Sequence, residues 1–197
     1  MIGVVGIGAL DILSVAIMLL AKTGKRVVLV DVSSDASAEQ VFSKSPYCTY
    51  RRGLVVGDGE LVILYSDYEW HSTFLKCSHV TVVVDPLVTT SDMMGEFVKN
   101  LRIKYSVILK SYTNVSAEVF RSCFLPLLYK QCKVSLMNLS ERDLELFVEL
   151  RHSLGNVSNA WSSVFYLGVV NFIKDNFEDI DSEKVDQCIS ENIFGKL

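Results

Sequence analysis

IGVVGIGALDILSVAIMLLAKTGKRVVLVD, residues 2–31, is the stretch of sequence that decides the fold. It begins with an apolar, mostly β-branched run at 2–5, passes through a turn with two glycines, and continues with helix-forming residues up to Gly24, a typical helix terminator. The apolar run at 27–30 is closed by Asp31, and a strand that is apolar on both faces belongs inside a parallel sheet. This order predicts a strand–turn–helix–strand unit with a right-handed crossover.

Strands and helices alternate over the first two thirds of the chain. Further strands are predicted at 80–84, 105–109 and 134–136. Helices are predicted near 36–42, over 90–102 with Ser91 as N-cap, and at 116–131, 158–174 and 182–192, with a further helix start in the Ser-Glu-Arg-Asp run at 140–143. This alternation predicts a doubly wound α/β fold with a mostly parallel sheet, in a single domain over 1–197 that is helical from about residue 140.

Two apolar runs, 53–56 and 61–65, flank the sequence Gly-Asp-Gly-Glu at 57–60. Glycine and aspartate between two strand-like runs are typical of a β-hairpin or another tight connection. A crossover between parallel strands is the alternative for this segment.

Composition excludes several classes of protein. The net charge is −4 and the pI is near 5.4, whereas binding to the nucleic-acid backbone normally requires basic character. The five cysteines form no C-x-x-C pair, which argues against structural zinc and indicates a reducing, cytoplasmic compartment. The apolar run over 3–21 is long enough to span a bilayer, but its glycines and the central Asp11 favour a strand and helix of a globular domain.

The first turn is the candidate binding site. In this fold ligands bind beyond the carboxyl ends of the strands, and a helix N-terminus there favours an anion. Gly6 and Gly8 match the first two glycines of the dinucleotide pattern G-x-G-x-x-G, while its third glycine position holds Asp11. Asp31 ends the second strand, where an acidic residue can bind a ribose hydroxyl. A nucleotide- or dinucleotide-binding, Rossmann-like enzyme or sensor is therefore one hypothesis.

A second hypothesis follows from the segment Leu-Ala-Lys-Thr-Gly-Lys-Arg-Val-Val-Leu-Val-Asp at 20–31. It resembles the helix end and second strand of the MinD/ParA-like (SIMIBI-class) P-loop ATPases. Counted back without a gap, Gly6 and Gly8 fall on two glycines of that family's phosphate loop, and its loop lysine position holds Ala9. The two following positions, where the family has threonine or serine, hold Leu10 and Asp11.

The resemblance extends downstream and covers residues 1 to about 175. The run at 60–65 resembles the strand that ends in the family's magnesium-associated aspartate, with Tyr65 at that position. The segments 77–84, 85–101 and 133–143 resemble the strand, helix and later strand that follow. The family's additional lysine near the loop start is replaced by Val4.

The resemblance implies a P-loop-NTPase-like fold without the chemistry of an ATPase, because phosphoryl transfer depends on charges that the loop has lost. It predicts a non-catalytic pseudo-ATPase with no catalytic or metal-binding residue. The only cofactor it suggests is ATP or ADP, bound without hydrolysis, and it leaves open whether either nucleotide binds. The implied role is positioning, scaffolding or assembly, as in a pilus, secretion or partition machine, through a protein partner and as a homodimer. The residues proposed as the remnant of the loop are Gly6, Gly8, Ala9, Asp11 and Asp31. A purely structural subunit of a larger complex is a third hypothesis.

Overall fold

The computed structural model of the protein describes residues 1–35, 38–53, 61–69, 71–112, 132–152, 161–177 and 180–194. Seven strands form one sheet in which every described pairing is parallel. The strands are β1 (Ile2–Val5), β2 (Val27–Asp31), β3 (Cys48–Arg52), β4 (Leu61–Ser66), β5 (His79–Val84), β6 (Tyr105–Tyr112) and β7 (Lys133–Leu139). The predicted α/β class is therefore confirmed, with a sheet that is wholly parallel over these residues.

The strand order is β3-β2-β4-β1-β5-β6-β7. β4 lies between β1 and β2 and runs parallel to both, so both of its edges are occupied and no described strand forms the hairpin predicted between residues 53–56 and 61–65. Strands that run in the same direction cannot be joined by a tight turn, because the chain has to return to the other end of the sheet. The strand before this connection is β3, which pairs with β2, and residues 54–60 lie outside the described part of the chain.

Six α-helices are described, with bounds near those predicted where the two can be compared. They are α1 (Leu10–Lys22), α2 (Glu39–Phe42), α3 (Ser91–Asn100), α4 (Glu141–His152), α5 (Ser163–Asn176) and α6 (Ser182–Phe194). The N-cap of α3 is Thr90 instead of Ser91, because Thr90 is extended and its side chain accepts a hydrogen bond from the Met93 amide. The helix predicted over 116–131 lies outside the described residues.

Helices cover both faces of the sheet. Side chains of α1, α5 and α6 join one core cluster, whereas α3 and a 3₁₀ helix at Ser72–Lys76 join the other. α1 carries the chain from β1 past β4 to β2, and α3 carries it from β5 in the opposite direction to β6. Right-handed crossovers that leave in opposite directions pack on opposite faces. The carboxyl ends of β1 and β5 therefore bound the crevice in which this class of fold binds ligands.

α1 is the most deeply buried helix of the first face. It has 13 residues, and only three of them, Ser14, Ala21 and Lys22, are more than marginally exposed. This burial accounts for the apolar run over 3–21, which is divided between a strand, a turn and this helix. None of the helices in the described parts of the chain combines the length and the apolar character that a membrane crossing would require.

Asp143 joins the starts of two helices. Its carboxylate accepts hydrogen bonds from the amide and hydroxyl of Ser140, at the start of α4, and from the amide and hydroxyl of Ser162, the N-cap of α5. The Ser140 hydroxyl accepts from the Asp143 amide in return, as the sequence at 140–143 predicts. Burial favours a higher pKa for Asp143, but the four hydrogen bonds outweigh it, and the pKa lies below its ordinary value.

We predict that Asp143→Asn lowers the free energy of unfolding by about 2 kcal/mol at neutral pH, because four donors lose a charged acceptor. Since the folded pKa is lowered, the contribution of the carboxylate is present above its ordinary pKa of 3.8 and is lost as pH falls through the folded value. Urea unfolding of both proteins at neutral and acidic pH measures this.

Asp181→Asn is the matched control, because Asp181 accepts hydrogen bonds from amides of α6 at an exposed position. We expect it to cost less than Asp143→Asn. Equal effects of the two substitutions would show that Asp143 is no more than an ordinary cap.

Candidate functional site

The two glycines of the first turn are required by close packing of the chain on itself. Gly6 has φ +124, and its amide donates to the Ser66 carbonyl at 2.8 Å. A β-carbon at Gly6 would collide with the carbonyl oxygen of Val83. A β-carbon at Gly8 would lie 2.5 Å from the Cβ of Asp85. The turn therefore packs directly against the segment at the end of β5.

Four side chains fill the crevice between the ends of β1 and β5, and we call them the switch-point cluster. They are Asp11, Asp85, Lys110 and Tyr112. The Lys110 Nζ donates to the Asp11 Oδ2 at 2.6 Å and lies 3.4 Å from the Asp85 Oδ2. The Tyr112 hydroxyl donates to the same Asp85 oxygen at 2.8 Å. The end of β6 is thus linked to the first turn of α1 and to the loop after β5.

The ionic part of the cluster is closed to solvent. Asp11, Asp85 and Lys110 are each only 1 % exposed. The other oxygens of the carboxylates are bound as well, since the Asp11 Oδ1 accepts from the Ile12 amide at 2.6 Å and the Asp85 Oδ1 accepts from the Leu87 amide at 3.0 Å. Buried charges are tolerated when they are paired and hydrogen-bonded in this way.

Two carboxylates share one ammonium group, so the cluster has a surplus of negative charge when all three groups are ionised. Burial is the main cause that raises the pKa of Asp11; the nearby Asp85 adds to it, and Lys110 opposes it. Burial and Asp85 also raise the pKa of Tyr112, which keeps its hydroxyl protonated as a donor. A proton retained on one carboxyl group would neutralise the cluster.

This arrangement suits an internal anchor better than a catalytic centre. A catalytic acid, base or nucleophile has to reach a substrate atom, and these charged groups are enclosed by the chain. Asp11 lies in the first turn of α1, where the helix dipole favours negative charge. The carboxylate of Asp11 thus supplies, from within the chain, an anion at the helix start where a ligand anion would otherwise bind.

The structure brings most of the sequence-predicted site residues together. Gly6, Gly8, Ala9 and Asp11 form one turn, in which the Ala9 amide donates to the Gly6 carbonyl at 3.0 Å and Ala9 is fully buried. Asp31 lies apart from them, because β4 separates the end of β2 from the end of β1.

The carboxylate of Asp31 is hydrogen-bonded by residues of β3 and of the loop after β2. Its Oδ1 accepts from the amide of Ser33 at 2.9 Å and from the hydroxyl of Ser33, and its Oδ2 accepts from the Tyr50 hydroxyl at 3.0 Å. Asp31 is fully buried. It serves as the hydrogen-bond acceptor that joins the ends of β2 and β3.

Sequence reasoning missed Lys110, Asp85 and Tyr112 as site residues. The available signals were a lysine directly after the apolar run at 107–109 and an aspartate directly after the run at 80–84. A charge at the end of a buried strand has to find a partner at the same edge of the sheet. Identifying that partner requires the strand order, which places β5 beside both β1 and β6.

Tyr65 stands at the position where the resemblance to the P-loop ATPases predicts a magnesium-associated aspartate. It lies within β4, is fully buried, and contributes its ring to the core cluster on the α1 face. The first acidic side chain after this strand is Asp67, and the one after β5, on the other side of β1, is Asp85. Both follow strand ends that face the first turn.

Comparison with protein-family models found no matching family, and comparison with curated proteins found no matching relative. A fold of this kind hosts many unrelated functions, so function has to be argued from the site. The geometry of the switch-point cluster and its surroundings supplies that argument.

We predict that two substitutions in the cluster destabilise the protein to very different extents. Lys110→Met leaves two buried carboxylates without their cation and should lower the free energy of unfolding by about 3–5 kcal/mol. Asp11→Asn removes the surplus negative charge and should cost far less at neutral pH. Chemical denaturation of the two variants and the wild type measures both values.

The pH dependence separates charge from packing. Because the folded pKa of Asp11 is raised, the wild type loses stability as pH rises from the ordinary value of 3.8 through the folded pKa. Asp11→Asn lacks this loss, so its stability relative to the wild type should improve from pH 4 to pH 7. A constant difference over that range would contradict the charge assignment.

Proposed function

We propose that the protein is a non-catalytic MinD/ParA-like pseudo-ATPase with a P-loop-NTPase-like fold, and that it serves as a positioning, scaffold or assembly protein. A pilus, secretion or partition machine is the kind of assembly that this role suits. The observation that carries the proposal is the switch-point cluster, in which Lys110, Asp11 and Asp85 fill the crevice that would receive a ligand.

Three residues of the turn support a role without hydrolysis. Ala9 and Leu10 are buried apolar side chains at the positions where an active loop carries a phosphate-binding lysine and a magnesium-binding hydroxyl. Asp11 adds a carboxylate where a phosphate would need positive charge. Phosphoryl transfer relies on positioning and charge stabilisation, and neither is available from these side chains.

The charge of this edge of the sheet supports binding of proteins in preference to nucleotides. Carboxylates follow the strand ends at Asp31, Asp67 and Asp85. The cations described at the same edge are engaged by the chain: Lys110 pairs with the cluster, and Arg52 donates to the carbonyls of Ser33 and Ser34. Asp31 and Asp85 are buried, so an approaching phosphate would meet the partly exposed carboxylate of Asp67.

A nucleotide- or dinucleotide-binding enzyme or sensor is the competing function, favoured by the glycine turn with its positive φ at Gly6. The order 3-2-1-4-5-6 of dinucleotide-binding sheets places the second strand next to the first. Here β4 lies between them, and the Asp31 carboxylate is engaged by Ser33 and Tyr50. These features favour the pseudo-ATPase over a dinucleotide site.

We predict that ATP, ADP, NAD(P) and flavins leave the melting temperature unchanged and that Mg-ATP is not hydrolysed. A ligand that binds only the native state raises the melting temperature, so thermal shift reports binding without turnover. Phosphate release is measured with an active MinD-type ATPase as the positive control. Binding of ATP or ADP alone would leave a pseudo-ATPase that retains nucleotide, whereas turnover or NAD(P) binding would overturn the proposal.

The scaffold role has its own test. Light scattering on the purified protein, with and without a partner captured by affinity purification, should show a homodimer or a stoichiometric complex. A strict monomer that captures no specific partner would contradict the role.

A further inference from the structure

A groove lies beside the first turn, between the segment after β4 and helix α3. It encloses about 440 Å³. Its floor is apolar and aromatic and consists of Ile7, Tyr68, Met93 and Phe97. Its rim is acidic and consists of Asp67, Glu69 and Glu96. We call this feature the acidic groove.

The floor of the acidic groove is held in place by the core. Tyr68 has φ +88, and its buried hydroxyl donates to the Val83 carbonyl and lies 3.0 Å from the Thr89 Oγ1. Its ring meets Phe97 edge-on, with the centroids 6.4 Å apart. These contacts fix the floor before any partner arrives, which lowers the entropy lost on binding.

The rim carries negative charge without a balancing cation from the described residues that line the groove. Burial is the main cause that raises the pKa of Asp67, and repulsion from Asp35, Glu69 and Asp31 adds to it. Glu69 and Glu96 are exposed and can reach a bound partner. A positive group in the groove would relieve this repulsion and leave the fold unchanged.

We propose that the acidic groove docks a basic amphipathic segment of a protein partner, with lysine or arginine side chains on the rim and an aliphatic or aromatic side chain on the floor. The inference rests on the proposed scaffold function and names the chemistry of the partner. A metal ion fits less well, because within the described parts of the chain no three acidic, histidine or cysteine side chains are grouped to hold one. A purely ionic ligand would leave the apolar floor unused.

The probe is a short fluorescein-labelled peptide in which arginine alternates with leucine, and binding is followed by fluorescence anisotropy. Two comparison peptides replace arginine with glutamate or leucine with serine. The double variant Glu69→Lys/Glu96→Lys should weaken binding of the probe by about tenfold or more, since both substitutions reverse a rim charge. Both side chains are exposed, so the fold should be retained.

Glu145→Lys is the matched control. It reverses one exposed charge on α4, whose neighbouring Leu146 belongs to the core cluster of the opposite face. We expect less than about a twofold change in affinity for this variant, and much weaker binding of both comparison peptides to the wild type. Circular dichroism of each variant verifies folding.

Three results would overturn the inference: no binding of the probe, equal losses for the rim and control variants, or equal affinity for the peptide with serine. If the probe does not bind and the nucleotide screen is also negative, the proposed function is retained and only the docking inference fails. Nucleotide hydrolysis or NAD(P) binding would overturn the proposed function instead, whatever the peptide does.

Discussion

The ammonium group of Lys110, held between Asp11 and Asp85, is the interaction on which the centre of the molecule depends. It connects β6 to α1 and to the loop after β5, across the crevice where the two directions of winding diverge. Since all three groups are buried, removing the cation would leave two uncompensated carboxylates. Such a cluster adds little net stability over an apolar core, but it strongly penalises any arrangement that separates its members.

The same cluster explains why the first turn is built as it is. Gly8 has no room for a β-carbon beside Asp85, and Gly6 has none beside the Val83 carbonyl. In a ligand-binding turn, glycines allow the backbone to approach a phosphate. Here they allow the backbone to approach the end of β5 of the same chain. The glycine pattern is shared with nucleotide-binding proteins, while the group it accommodates is internal.

The charge at the carboxyl edge of the sheet affects which ligands can bind there. The acidic rim of the groove next to the turn disfavours a phosphate, and the floor of the groove is apolar and aromatic. Both features are consistent with a protein partner as the ligand of this edge. Under the proposed function, stability and recognition belong to neighbouring sites: the buried cluster joins the elements, and the exposed rim of the groove contacts the partner.

Local sequence was sufficient to predict the α/β class, the elements β1, α1 and β2, and the start of α4. These features depend on apolar runs, helix-terminating glycines and capping residues, which act over a few positions. It was also sufficient to show that Ala9, Leu10 and Asp11 provide neither the lysine nor the hydroxyl side chain of a P-loop. It was insufficient to predict that β4 lies between β1 and β2 and runs parallel to both. It therefore predicted a hairpin that the described strands do not form. The pairing of Lys110 with Asp11, 99 positions away, was decided only by the tertiary structure, since strand order determines which charges meet at the edge of a sheet.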